Sequence, residues 1–215
     1  MRLQRKPLGE EVYKRLLGNI MSGKLPAGSR LCEEKLGKSL GVSRTPLREA
    51  MSRLAREGAL EKRHNYGCVV RKLSIDDVEE LLEGRRLLEC LALREWFPRI
   101  DSNRLKALSR RVDDAATLSE GKLRGEILSL DEEMHELIVS ACANRFLAGQ
   151  IRHLQLLCRP YRVYRCSASD DAGAILVERR RVVDAILAGD VDGAVAGLAV
   201  HFDCSLKHYR QSLST

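Results

Sequence analysis

The sequence predicts a mainly α protein with an N-terminal winged helix-turn-helix unit and a C-terminal all-α bundle of six helices. Three observations predict it. Apolar residues recur at i, i+3 and i+4 through most of the chain, the spacing of one face of an α-helix. Strand-like runs are confined to a short stretch around Asn65-Tyr66-Gly67. The charge divides sharply: residues 1–73 hold 17 Lys and Arg against 7 Asp and Glu, whereas residues 74–215 hold 20 against 23.

The elements follow in order. Residues 8–22 carry Val12, Leu16, Leu17, Ile20 and Met21 as one stripe, a helix that Gly23 ends. Pro26-Ala27-Gly28 makes a turn, and Leu31 opens a short helix through Leu40, broken at Gly41. Ser43 is a good N-cap for a third helix, and Pro46 fits its first turn, where a missing N–H costs nothing. Leu47, Ala50, Met51, Leu54 and Ala55 form its buried stripe, and Gly58 ends it. Leu60–His64 and Cys68–Arg71 flank Asn65-Tyr66-Gly67 as a small hairpin.

From Ser74 the texture changes. Ser74 caps a long helix to about Phe97, closed by Pro98, and further helices fit 102–119, 124–142, 145–164, 171–188 and 191–211. Asn144, Ser169-Asp170 and Gly189-Asp190 punctuate them. The domains are therefore 1–73 and 74–215.

Composition excludes several classes. With 44% hydrophobic residues over 215 positions the chain can bury a core. No apolar run reaches the ~18 residues that span a bilayer, so no membrane partner is expected. The basic segment Met1-Arg2-Leu3-Gln4-Arg5-Lys6 is followed by no apolar stretch of the kind a secretory signal carries. The seven cysteines contain no C-x-x-C pair, so neither a zinc ribbon nor a disulfide framework is indicated. A reduced, cytoplasmic protein with mostly buried thiols is the expectation.

The basic third of the chain points to nucleic acid, because Lys and Arg replace the counterions of phosphate. On the third helix Arg44, Thr45 and Arg48 project opposite the Leu47 stripe, at the end a recognition helix presents to base edges. Arg is the usual bidentate partner of guanine. The hydroxyls of Ser43 and Thr45 suit phosphates, as does the helix N-terminus. Lys62, Arg63 and His64 on the hairpin could reach the backbone or minor groove. The plainer alternative is an amphipathic helix with a solvated basic face.

The acidic part has a pattern of its own. Asp131 and His135 sit four apart inside the apolar stripe of Ile127, Met134 and Ile138. Arg179 lies among Ile175, Val182 and Ile186, His201 among Val195, Leu198 and Phe202, and Arg85 among Val78, Leu81, Leu88 and Ala92. Buried charge without partners is costly. One shared pocket completed by a ligand or ion accounts for all four helices. Taken singly, each is as well explained as a satisfied core residue or a structural ion pair, such as Arg179 with Asp131.

The segment Gly41-Val42-Ser43-Arg44-Thr45-Pro46-Leu47-Arg48-Glu49-Ala50, with Arg53-Leu54 and Glu57-Gly58 after it, resembles the recognition-helix signature of GntR-family bacterial transcription regulators. Leu25-Pro26-Ala27-Gly28-Ser29-Arg30-Leu31 is similar to the segment that precedes it there. The resemblance implies Arg44 and Arg48 as base readers, with Ser43 and Thr45 on the backbone. Some relatives carry an Arg where this chain has Glu34, so no contact is carried over to that position. Arg85-x-x-x-Glu89, Asp131-x-x-x-His135, Asn144, Glu178 and His201 resemble the FCD effector domain of the FadR-type members, and six helices suggest the VanR-like branch.

In many such relatives one Asp and three His hold a divalent metal, and a small carboxylate effector completes its coordination. Asp131, His135 and His201 match three of those ligands; Arg179 stands in place of the third histidine. A guanidinium repels a metal and pairs with a carboxylate. The expectation is that Arg179, with Arg85, anchors a small carboxylate effector without metal. The alternative is a zinc or nickel ion on Asp131, His135 and His201 with Arg179 swung aside. Cys204 and His208 near His201 are read as a solvated helix end rather than ligands.

The whole reads as a ligand-responsive regulator, in the sense of a repressor, acting as a homodimer on a palindromic double-stranded operator. A metal-dependent hydrolase using Asp131, His135 and His201 is the alternative from another class, although no nucleophile elbow, phosphate loop or H-E-x-x-H is present. A DNA-packaging protein would be basic throughout, and residues 74–215 are not.

Overall fold

The computed structural model describes residues 8–64, 66–168 and 172–213. The chain divides into two compact units, Met1–Ser74 and Ile75–Thr215.

In the first unit, helices α1 (Leu8–Met21), α2 (Glu33–Leu40) and α3 (Arg44–Arg56) pack beside a three-stranded antiparallel sheet. Its strands are β1 (Arg30–Leu31), β2 (Leu60–Arg63) and β3 (Gly67–Val70), in the order β1-β3-β2. Leu16, Leu47 and Leu54 are fully buried at the centre. The turn that aims α3 needs two glycines. Gly41 adopts a left-handed conformation with φ +66°, which favours a residue without Cβ. At Gly37 a Cβ would stand 3.2 Å from the Val42 carbonyl oxygen.

Strand β1 corrects the expectation of a helix from Leu31. Arg30 and Leu31 pair with Val69 and Cys68, and the helix begins two residues later, at Glu33. A two-residue strand has no periodicity to read; it exists because β3 offers it a partner. Arg53, a recognised motif position, faces inward to α1. Its Nη1 lies 2.6 Å from Glu10, its Nε lies 2.9 Å from Glu57, and its guanidinium lies over the Tyr13 ring at 3.8 Å. Tyr13 donates to Glu57 at 2.7 Å, and burial, then this bond, pushes its hydroxyl up to about 12.

In the second unit α4 (Ile75–Trp96) runs into a 3-10 turn at Phe97–Arg99, where Pro98 stops the α-helix. Helices α5 (Ser102–Ala115), α6 (Glu120–Ala141), α7 (Arg145–Ala168), α8 (Ala172–Leu187) and α9 (Val191–Leu213) follow. Helix α6 touches α4, α5, α7 and α8, and α9 lies against α4, α7 and α8. Side-chain caps set several boundaries: Asp101 accepts from Asn103 and Arg104, and Asn144 from Phe146 and Leu147. Helix α5 stops at Ala115 rather than 119, and α6 starts at Glu120 rather than 124, because Ala116–Leu118 form turns ahead of Ser119. The expected break at Ser169-Asp170 lies outside the described residues. Among the described residues no helix is long and apolar enough to cross a membrane. Of the six described cysteines only Cys68 and Cys158 are buried, fewer than expected, and none is in a disulfide.

Candidate functional site

Two surfaces carry the expected residues. On α3 the buried set is Leu47, Ala50, Met51 and Leu54, and the opposite side shows Ser43, Arg44, Thr45 and Arg48 to solvent. Ser43 occupies the N-cap position but makes no side-chain bond to the helix, so capping is not what its hydroxyl does here. Arg63 and His64 are exposed at the hairpin, with Arg63 3.2 Å from Glu61 on its own strand. Sequence reasoning missed Arg30 and Tyr66: the Arg30 guanidinium lies over the exposed Tyr66 ring at 4.8 Å, which adds a cation to the wing. It also missed Glu33, whose Oε2 holds Arg48 Nε at 2.7 Å.

An exposed pair of this kind is worth about 0–1 kcal/mol, so a polyanion can displace Glu33 from Arg48. Glu33→Gln removes the competing charge. Binding to any duplex should tighten several-fold at low salt, as read by fluorescence anisotropy. Weaker binding would mean instead that Glu33 positions Arg48.

The second site is inside the bundle. Arg85, Glu89, Asp131, His135, Arg179 and His201 are each 2% exposed or less. Helix α4 supplies Arg85 and Glu89, α6 Asp131 and His135, α8 Arg179, and α9 His201. Arg85 Nε donates to Glu89 at 2.9 Å, and Gln155 of α7 donates to the same oxygen at 3.2 Å. The other Glu89 oxygen lies 2.5 Å from His135 Nδ1. His135 Nε2 faces His201 Nε2 at 3.3 Å. Arg179 donates to Asp131 Oδ1 at 2.6 Å and to the Ile175 carbonyl at 2.8 Å. Phe202 closes one side, its ring 5.5 Å from that of His135 and 5.0 Å from the Arg85 guanidinium.

All five expected effector residues thus fall in one cluster. Glu89 was visible only through the resemblance; its i, i+4 spacing from Arg85 was the signal for a fixed pair. Gln155 had none. The residues Leu81 and Leu88, read as the inner stripe of α4, are only half-buried; Leu82 and Glu89 take that place. His208 turns its Nδ1 to the Cys204 carbonyl of its own helix, at 2.7 Å, as a helix-end residue would.

Electrostatics fix the protonation. Burial pushes the Glu89 carboxyl up, but Arg85 and His135 outweigh it and hold the group at about 2. Burial lowers both imidazoles, His201 to about 3, in spite of Glu178 and Asp131 beside it. A neutral His135 that donates from Nδ1 to Glu89 accepts at Nε2, and His201 Nε2 can supply that proton.

A pH dependence follows. The unfolded chain protonates these histidines near the ordinary 6.5, while the folded chain holds them neutral. Below that pH the unfolded state takes up more protons, so stability falls by up to about 1.4 kcal/mol per pH unit for each group. The Glu89 contribution is lost only below its ordinary 4.5. Urea denaturation at pH 7, 6 and 5 should show the decline, and His201→Gln should flatten it. An equal slope in the variant would contradict the assignment.

Asp131, His135 and His201 also offer donor atoms within 4.8 Å of one another. Ligand atoms of a tetrahedral zinc site stand about 3.4 Å apart; here the separations are 3.3, 3.4 and 3.8 Å. The spacing suits a divalent ion. The charge does not, because the Asp131 oxygen turned to the histidines is the one Arg179 holds. As arranged, the set does not fit a metal unless Arg179 releases that oxygen.

Comparison with known proteins places this geometry in a family. Residues 8–70 match the family of bacterial regulatory proteins called gntR, and residues 80–203, more than half of the chain, match the FCD domain. The chain is a transcription regulator of the GntR family, in the group that carries an FCD domain. It is 29% identical over 204 residues to the HTH-type transcriptional regulator YdhC of Bacillus subtilis, covering 94% of this chain and 91% of that one. The fold of E. coli McbR/YncC matches with a TM-score of 0.81 at 22% identity, over 97% of this chain and all of that one. The Zn2+-bound FCD domain of TM0439 matches 66% of this chain and 97% of its own, with a TM-score of 0.55 at 20% identity. These matches are to regulators, not enzymes, which sets the hydrolase alternative aside.

Proposed function

We propose that this regulator grips a palindromic operator through α3 and the wing of two identical chains, and that a small carboxylate in the bundle releases it. Ser43, Arg44, Thr45 and Arg48, with Arg63 and His64, are the DNA contacts of this reading. Arg85, Asp131, His135, Arg179 and His201 are the effector contacts. The observation that carries the effector is a pair of buried guanidiniums with orphan donors: Arg85 Nη2 and Arg179 Nε have no hydrogen-bond partner among the described residues. Buried donors are nearly always paired, and an incoming carboxylate would satisfy planar N–H groups of this kind. The six α-helices among the described residues of the second unit support the VanR-like branch, and membership of a family of DNA-binding regulators supports the cytoplasm.

A repressor works this way if the effector binds the DNA-free state of the dimer more tightly than the DNA-bound one. A second reading keeps zinc or nickel on Asp131, His135 and His201, favoured by their donor spacing. The operator test is selection of bound sites from random duplexes. A half-site repeat about one turn apart is expected, with binding that a small carboxylic acid weakens. Equal affinity for selected and shuffled duplexes would overturn the reading.

A further inference from the structure

Three buried polar atoms of the bundle have no hydrogen-bond partner among the described residues: Arg85 Nη2, Arg179 Nε and His201 Nδ1. The first two are donors and suit a carboxylate. The third is an acceptor, and the bonds around it say why. His135 spends its Nδ1–H on Glu89 at 2.5 Å, so its Nε2 carries a lone pair. That lone pair faces His201 Nε2 at 3.3 Å, and Asp131 Oδ1 lies 3.4 Å from the same nitrogen. Two acceptors converge on His201 Nε2, so the ring proton belongs there. His201 Nδ1 is then a bare lone pair on a side chain that is sealed from water.

A second acceptor stands beside it. Glu178, the residue before Arg179 on α8, brings Oε2 to 3.6 Å from His201 Nδ1. A lone pair and a carboxylate cannot bond each other. A group that donates twice, placed between them, satisfies both.

We infer that the effector is an α-amino acid, with its carboxylate on the unpartnered N–H groups of the buried arginines and its ammonium donating to His201 Nδ1 and Glu178. Charge points the same way. The guanidiniums of Arg85 and Arg179 are already matched by the carboxylates of Glu89 and Asp131. A bare carboxylate would add net negative charge to that interior, where an unbalanced ion is costly. A zwitterion adds none, and its ammonium arrives next to the Glu178 carboxylate. A hydroxyl in the same place has one proton to give, so it serves His201 or Glu178 but not both. The two subsites also lie side by side, as carboxylate and ammonium do on one carbon. Arg179 and His201 meet the same oxygen, Asp131 Oδ1, at 2.6 and 3.4 Å.

The inference rests on the reading that the buried arginines hold a carboxylate, and matched ligands separate the two. The metal-stripped full chain is titrated calorimetrically with L-alanine, L-lactate and propionate. The same is done with L-aspartate, L-malate and succinate, and with L-leucine, 2-hydroxyisocaproate and isocaproate. Within each triad only the group beside the carboxylate changes, from ammonium to hydroxyl to hydrogen. In a triad that binds, the amino acid should be tighter than either partner by about tenfold or more, the effect of a charge-assisted hydrogen bond. Glu178→Gln should cost the amino acid about tenfold more affinity than it costs the unsubstituted acid. A hydroxy or unsubstituted acid that binds as tightly as its amino partner overturns the ammonium site and leaves the carboxylate reading standing. A Glu178→Gln loss that is equal across the triad does the same. Amino acids that bind only after zinc is added also overturn it, because chelation then accounts for the amine. Binding by no member of any triad overturns the inference and the carboxylate reading together. Should Glu178→Gln fail to fold, the wild-type series alone decides.

Discussion

Arg179→Ala should destabilise the protein by about 3–5 kcal/mol, because it removes the guanidinium from a buried ion pair and leaves the Asp131 charge in the interior. Arg179 and Asp131 are both buried, and the guanidinium stands 2.6 Å from that oxygen. Such a loss alone would show only that the pair is structural. The double variant Arg179→Met/Asp131→Asn separates stability from sensing. It removes both charges and keeps comparable volume, and replacing a buried pair in this way is often neutral. Its unfolding midpoint in urea should return close to that of wild type. Its response to carboxylic acids should not return, since the anchor is gone. A double variant that still responds would place the effector elsewhere. An Arg179→Ala protein as stable as wild type would contradict the buried pair itself.

Arg44→Ala and Arg48→Ala should each weaken specific binding by about 1–3 kcal/mol and relax preference at one base pair. Together they should lose about 2–6 kcal/mol, which is roughly 30-fold to more than 10⁴-fold. The Arg48 loss should be the smaller, because binding first costs its bond to Glu33. Competition between selected and random duplexes reads both. An equal loss on random DNA would mean that the arginine touches only phosphate.

The helices were largely legible because their apolar residues keep helical spacing and their ends carry local signals. Asp101 and Asn144 cap with their own side chains, and Pro98 stops α4 by geometry. The convergence of Arg85, Asp131, His135, Arg179 and His201 was legible for a related reason: a polar residue on an apolar stripe must face inward. What the spacing left open was who pairs with whom. Arg179 could have anchored an anion or held Asp131, and the structure pairs it with Asp131 while leaving Nε without a partner. The bonds of Glu89 to His135, Gln155 to Glu89 and Glu33 to Arg48 join residues 46, 66 and 15 apart in sequence. Strand β1 was invisible for the same reason, since pairing with β3 is all that makes Arg30 and Leu31 a strand.

The central claim is that the bundle binds a small carboxylate through its buried arginines and needs no metal to do so. Thermal unfolding of metal-stripped protein against a panel of small carboxylic acids, with and without zinc or nickel, tests it most directly. An acid at 100 times its dissociation constant should add about 2.7 kcal/mol of stability. A shift with acid alone, absent in Arg179→Met/Asp131→Asn, is the expected result. A shift that appears only when metal is added would contradict the claim and return Asp131, His135 and His201 to the role of ligands.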